Sequence, residues 1–163
     1  MAATHSWSET NGAGPSGTPY DGIGNINFGN TDAHDLTALS YPIARGSNSF
    51  AKYIRCLFTS SWTTISNMKF WKSNGDYKTD EVIVANFNVS YATPATTSIG
   101  VTAVPTAAPA QNVNSFEGEA TIVYGATGVS GYTGYINLQL KTLSDTPSGA
   151  VATKTFCFQY DEV

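Results

Sequence analysis

From about residue 36 onward the chain alternates. In SFAKYIRCLF (49–58), Ile54, Cys56 and Phe58 fall on one side of an extended backbone, and the run is apolar on much of both sides. ISNMKFWKS (65–73) places Phe70 and Trp71 on opposite faces, so at least one of them belongs to a core. VIVANFNVSY (82–91) sets Ile83, Ala85, Phe87, Val89 and Tyr91 on one face and Asn86, Asn88 and Ser90 on the other. YINLQLKT (135–142) turns Ile136, Leu138 and Leu140 the same way, and KTFCFQY (154–160) groups Phe156, Phe158 and Tyr160. A period of two is the mark of a strand with one face buried. Asn74-Gly75, inside SNGDYKTDE, predicts a hairpin between the second and third of these runs.

The punctuation agrees with strands. ATPATTSIGVTAVPTAAPAQNVNS (92–115) holds three prolines and no charge, which predicts an extended loop with one short strand near 99–104. EATIVYG and the glycine-rich GATGVSGYTG follow, and DTPSG is a turn. No segment carries a helical period. Seven to nine strands separated by turn signals predict an all-β fold, an antiparallel β-sandwich of jelly-roll or immunoglobulin-like type spanning residues 36–163.

Residues 1–35 read differently. They contain six glycines and two prolines, with Trp7, Tyr20, Ile23, Ile26 and Phe28 as their large apolar groups. So little burial does not offset a backbone ordering cost of about 1–2 kcal/mol per residue. The expectation is an extended, glycine-rich N-terminal arm that takes its shape from a partner chain, anchored by Trp7, Tyr20, Ile23 and Phe28, beside a sandwich that folds without it. Self-packing of these side chains along the sandwich edge is the competing reading. Gly12, Gly14 and Gly17 spell G-x-G-x-x-G, but no buried strand precedes them and no helix pattern follows. A phosphate turn needs both, because the helix N-terminus supplies the amides.

Composition narrows the function. Charged residues make up only 12% of the 163, and the surface is rich in Thr, Ser and Asn. Glu9, Asp21, Asp32 and Asp35 place the whole net charge of −4 in the first 44 residues, a distribution with no grip on nucleic acid or an anionic membrane. The N-terminus lacks the basic and apolar regions of a secretory leader, which predicts synthesis in a cytoplasm. The two histidines, His5 and His34, both lie in the glycine-rich portion, where a catalytic base is hard to hold in place. No nucleophile motif or metal-ligand spacing is present, so the chain is not expected to be an enzyme or to carry a cofactor or metal. Asp76, Asp80 and Glu81 form the densest carboxylate group, and Lys78 among them points to a solvated turn rather than a Ca²⁺ site. Cys56 faces inward and Cys157 outward, so both thiols are expected to be free. Trp62 and Trp71 are candidates for an exposed aromatic contact, with a subunit interface favoured over a sugar platform.

YIRCLFTSSWTTISNMKFWKSNG, the Pro/Thr/Ala loop and the closing GYTGYINLQLKTLSDTPSGAVATKTFCFQYDE together resemble small all-β virion proteins of tailed bacteriophages. The likeness covers about residues 40–163 and is nearest to capsid decoration, or cement, proteins. It implies a location on the capsid surface of the virion, the major capsid protein as partner, and a homo-oligomer with a trimer favoured. It supplies no site motif to carry over. The alternatives from the same pattern are a carbohydrate- or receptor-binding sandwich of a phage fibre or tail, and a minor head–tail or tail-tube component.

Overall fold

A computed structural model of the chain describes residues 4–59, 65–88, 90–109, 123–124 and 131–162. They form a β-sandwich of two antiparallel sheets with nine strands. The larger sheet runs β2 (Thr18–Asp21), β1 (Thr4–Asn11), β3 (Lys52–Thr59), then β7 (Gly131–Thr133) and β8 (Tyr135–Thr142). Beyond these lie β6 (Val123–Tyr124) against β7 and β5 (Glu81–Asn88) against β8. The smaller sheet pairs β4 (Ile65–Asn74) with β9 (Thr155–Glu162).

β7 and β8 are one strand with a bulge. Leu57 faces Tyr132 and Ile54 faces Ile136, so three residues oppose two across β3. Gly134 sits in the bulge because any larger residue would meet the Phe87 ring, 2.6 Å from where a Cβ would stand.

Residues directly opposite on antiparallel strands share a face, so the register defines the core. Ile54, Cys56 and Phe58 meet Ile83, Ala85 and Phe87 and then Ile136, Leu138 and Leu140 across the inner face of the large sheet. Ile65, Met68 and Phe70 close it from the small sheet, with Phe156, Phe158 and Tyr160 partly buried beside them.

Two expectations are corrected and a third is met in part. The Asn74-Gly75 turn does not make a hairpin: β4 and β5 lie in different sheets, and residues 75–80 cross between them. The inner faces of both strands must reach one core from opposite sides, and a hairpin would put them side by side. Tyr91 leaves the inner face assigned to it and packs edge-on to Tyr53 at 4.9 Å, on the outer side of the large sheet; Val89 lies outside the described residues. The loop over 92–105 is more ordered than its prolines suggest. It crosses the outer face, where Gln139 donates to the carbonyls of Ala95 and Thr97, then pairs with β5 through Ala103 and Val84. The short strand expected near 99–104 is thus represented by this bridge and its two flanking hydrogen bonds.

A further departure concerns residues 1–35. Thr4–Asn11 is an interior strand, paired over seven positions with β3 and over four with β2. Ser8, Glu9, Thr10 and Asn11 are buried. The sequence hides this strand because its inward residues are His5, Trp7 and Glu9, of which only one is strongly apolar.

Candidate functional site

Trp7 points into the sandwich, edge-on to Phe158 at 5.0 Å and to Phe70 at 6.1 Å. Ile23 and Phe28 are partly buried against the same core. Tyr20 stacks on His34, with ring centroids 3.5 Å apart. The four anchor residues therefore engage their own chain, the self-packing reading. Trp71 is half-buried on the outer side of β4, opposite Cys157. Trp62 lies outside the described residues.

A buried ionic latch holds the N-terminal hairpin. Glu9 stands on the inner face beside Ile54, at the edge of the apolar core, and Lys52 reaches it at 2.8 Å; neither side chain exceeds 1% exposure. Lys52 also donates to the carbonyl of Ala33 at 2.6 Å, and Asn11 donates to both Glu9 and Asp32. Asp32 accepts in turn from the amide of Gly12. Burying the two charges is tolerable because Glu9 and Lys52 are paired and each has a further hydrogen-bond partner, although Asn11 Oδ1 and the hydroxyls of Ser8 and Thr10 are buried without one. The glycine motif is part of the same structure. Gly14 donates to Thr93, and Gly12 accepts from the Tyr91 hydroxyl, so the loop is the β1–β2 turn rather than an anion cradle.

The second polar centre lies between the sheets near residues 72–81. Glu81 and Lys154 are in contact at 2.6 Å with almost no exposure, and Lys72 and Lys154 flank the Tyr77 ring at 5.0 and 5.2 Å. Of the three clustered carboxylates, Glu81 is thus spent on an internal ion pair. Among the described residues no three His, Cys, Asp or Glu side chains converge as a metal site would require.

On the outer face of the large sheet, Tyr53, Tyr91 and Tyr135 form an aromatic cluster. Arg55 lies over the Tyr132 ring at 3.7 Å, and the Tyr132 hydroxyl donates to Asp21. Burial pushes the phenols of Tyr53 and Tyr91 above their ordinary range, favouring the neutral form. Most of this face is covered by the chain itself.

The loops where β5 begins and β8 ends are different. Here the segment 37–48, the turn 143–146 and the segment 147–154 are tied together. Thr142 donates to Ser47 through its amide, Leu143 donates to Asp80, and Lys78 donates to the carbonyls of Ser148 and Gly149. A shallow groove of about 380 Å³ runs between Asn30, Pro42, Ala44, Ser47 and Thr96. Leu39, Tyr41, Leu143 and Val151 stand on these loops at 91%, 40%, 58% and 45% exposure. They are four of the five large hydrophobic side chains exposed among the described residues, and Val101 is the fifth. Sequence reasoning missed them because each lies outside an alternating run, beside turn residues that give no hint of which side faces water.

Comparison with models of known protein families, with curated proteins and with solved structures finds no match for this chain.

Proposed function

We propose that this chain is a structural, non-enzymatic protein of a tailed-phage virion that binds the outer capsid surface and cements major capsid subunits. The observation that carries the reading is the concentration of exposed Leu39, Tyr41, Leu143 and Val151 on loops at one end of a rigid sandwich. Side chains of this size gain by leaving water, at roughly 25 cal/mol per Å² of apolar surface buried. Presented on a framework held by two internal ion pairs, they are preorganised to meet a protein surface. The Thr/Ser/Asn-rich remainder, with few charges, suits a face that stays in solvent on an assembled particle.

The N-terminal hairpin, expected from sequence to be an arm shaped by a partner chain, here stabilises the sandwich, and the loop end makes the contact. The experiment is a binding assay on capsid shells stripped of the protein. The chain is expected to sediment with shells at copy numbers comparable to the major capsid protein. Tyr41→Asp combined with Leu143→Asp is expected to abolish binding while the circular dichroism spectrum stays native. Shell binding that survives this double substitution would reject the loop end as the contact. Saturable binding to one glycan class, lost in Trp71→Ala, would instead establish the fibre or tail reading.

A further inference from the structure

We infer that this chain pairs with a second copy of itself through the outer edge of β9, antiparallel, about a two-fold axis at Phe158. The inference is independent of the virion reading and asks only about the chain in solution.

Among the described residues β9 hydrogen-bonds to one neighbour, β4. Among the described residues, no backbone hydrogen bond outside that ladder involves residues 156–161. The direction of the free groups follows from one contact on β4. The amide of Lys72 donates to Pro105, away from β9, so Lys72 and Phe156 face each other as a non-hydrogen-bonded pair. Antiparallel pairs alternate, which makes Phe70 and Phe158 another such pair. The N–H and C=O groups of Phe156 and Phe158, and of Tyr160 by the same alternation, therefore point to the open edge.

β9 carries none of the devices that blunt an edge along its middle. It has no proline and no lysine, and both register irregularities of the small sheet insert their extra residue on β4, which leaves β9 regular. Its one guard is the acidic end. Asp161 opposes in-register stacking of many copies, where like charges would line up. It does not oppose a closed antiparallel pair, in which Asp161 falls opposite Thr155 of the second copy.

The occupant is a second copy because the edge is complementary to itself. With Phe158 on the axis, Phe158 faces its own counterpart and Phe156 faces Tyr160, each pair exchanging the backbone hydrogen bonds that both edges offer. The aromatic rings all lie on the inner side, where Phe156, Phe158 and Tyr160 are only partly buried in a single chain. On the outer side Cys157 faces Gln159 of the other copy. Isologous pairing of this kind closes at two chains.

Sedimentation equilibrium at rising concentration is the test. The wild-type chain is expected to dimerise. Cys157→Glu with Gln159→Glu opposes like charges on both sides of the axis, and should weaken dimerisation about tenfold. The matching Cys157→Lys, Gln159→Lys chain should do the same, and mixing the two should restore a dimer. Gln159→Cys should cross-link to Cys157 of the second copy on oxidation and be released by reductant. All of these positions face outward, so a native circular dichroism spectrum is the folding control. A wild-type chain that stays monomeric at millimolar concentration overturns the inference. So does an assembly that the charge variants leave unchanged.

Discussion

The pair formed by Glu9 and Lys52 offers the sharpest test of where the first residues of the chain belong. Lys52→Met removes the ammonium and leaves Glu9, at 1% exposure, with Asn11 as its hydrogen-bond donor. Glu9→Leu leaves Lys52, at 0% exposure, with the carbonyl of Ala33. Stranding one buried charge in this way costs about 3–5 kcal/mol. A domain of this size has roughly 5–15 kcal/mol of total stability, so either substitution removes a large share of it. Replacing both partners by apolar residues, as in Glu9→Leu with Lys52→Met, leaves no charge stranded and should bring stability back to within about 1 kcal/mol of wild type. The coupling between the two sites is then about 5 kcal/mol or more, the sum of the two singles less the cost of the double. Urea unfolding followed by tryptophan fluorescence measures all four chains under one set of conditions. The slope against urea should be unchanged, because the surface exposed on unfolding stays the same. Single substitutions that each cost less than about 1 kcal/mol would show that β1 is not docked against β3 in solution. A double variant whose cost equals the sum of the singles would refute the latch as a coupled pair.

Further expectations can be checked on the same protein. Deleting residues 1–35 should leave a chain that does not fold, because it strips β1 and β2 from the large sheet and strands Lys52; a cooperative thermal transition in the truncated chain would refute this. Gly134→Ala should cost about 1–3 kcal/mol by overpacking, since its Cβ would stand 2.6 Å from the Phe87 ring, whereas Gly24→Ala meets nothing and should cost under about 0.5 kcal/mol. Equal costs at the two sites would remove the bulge argument. Burial pushes the Cys56 thiol up to about 12 from an ordinary value of 9.0, so the folded chain keeps a proton that the unfolded chain loses as pH rises past 9. Its stabilising contribution is complete below that pH and should fall by about 1.4 kcal/mol per unit above it. The stability gap between wild type and Cys56→Ala should narrow accordingly between pH 9 and 10; a constant gap would refute the assignment. In thiol labelling of the native chain, half-exposed Cys157 should react and Cys56 should not, until denaturant is added.

Much of the architecture is legible one strand at a time. Alternation alone places Ile54, Cys56 and Phe58, then Ile83, Ala85 and Phe87, then Ile136, Leu138 and Leu140, on the buried face of a sheet, because a period of two can bury only one side. It also orients Phe156, Phe158 and Tyr160 inward and Cys157 outward, as the structure has them. The N-terminal strand left a fainter mark. In THSWSETN, Ser6, Ser8 and Thr10 alternate with His5, Trp7 and Glu9, and Asn11-Gly12 is a hairpin turn signal.

What pattern could not supply was partnership across the chain. Glu9 reads as a solvent residue until Lys52, 43 positions later, is brought to 2.8 Å. Asn74-Gly75 marks a turn in either case, but whether the strands beside it pair or part depends on which sheet each must face. The exposed loop end depends on segments 37–48, 143–146 and 147–154 meeting where β5 begins and β8 ends. Local sequence sets which face of a strand seeks burial, because that choice is made by neighbouring residues. Tertiary structure alone decides which buried charge finds its counter-charge and which apolar side chain is left in water, because both are properties of residues far apart in the chain.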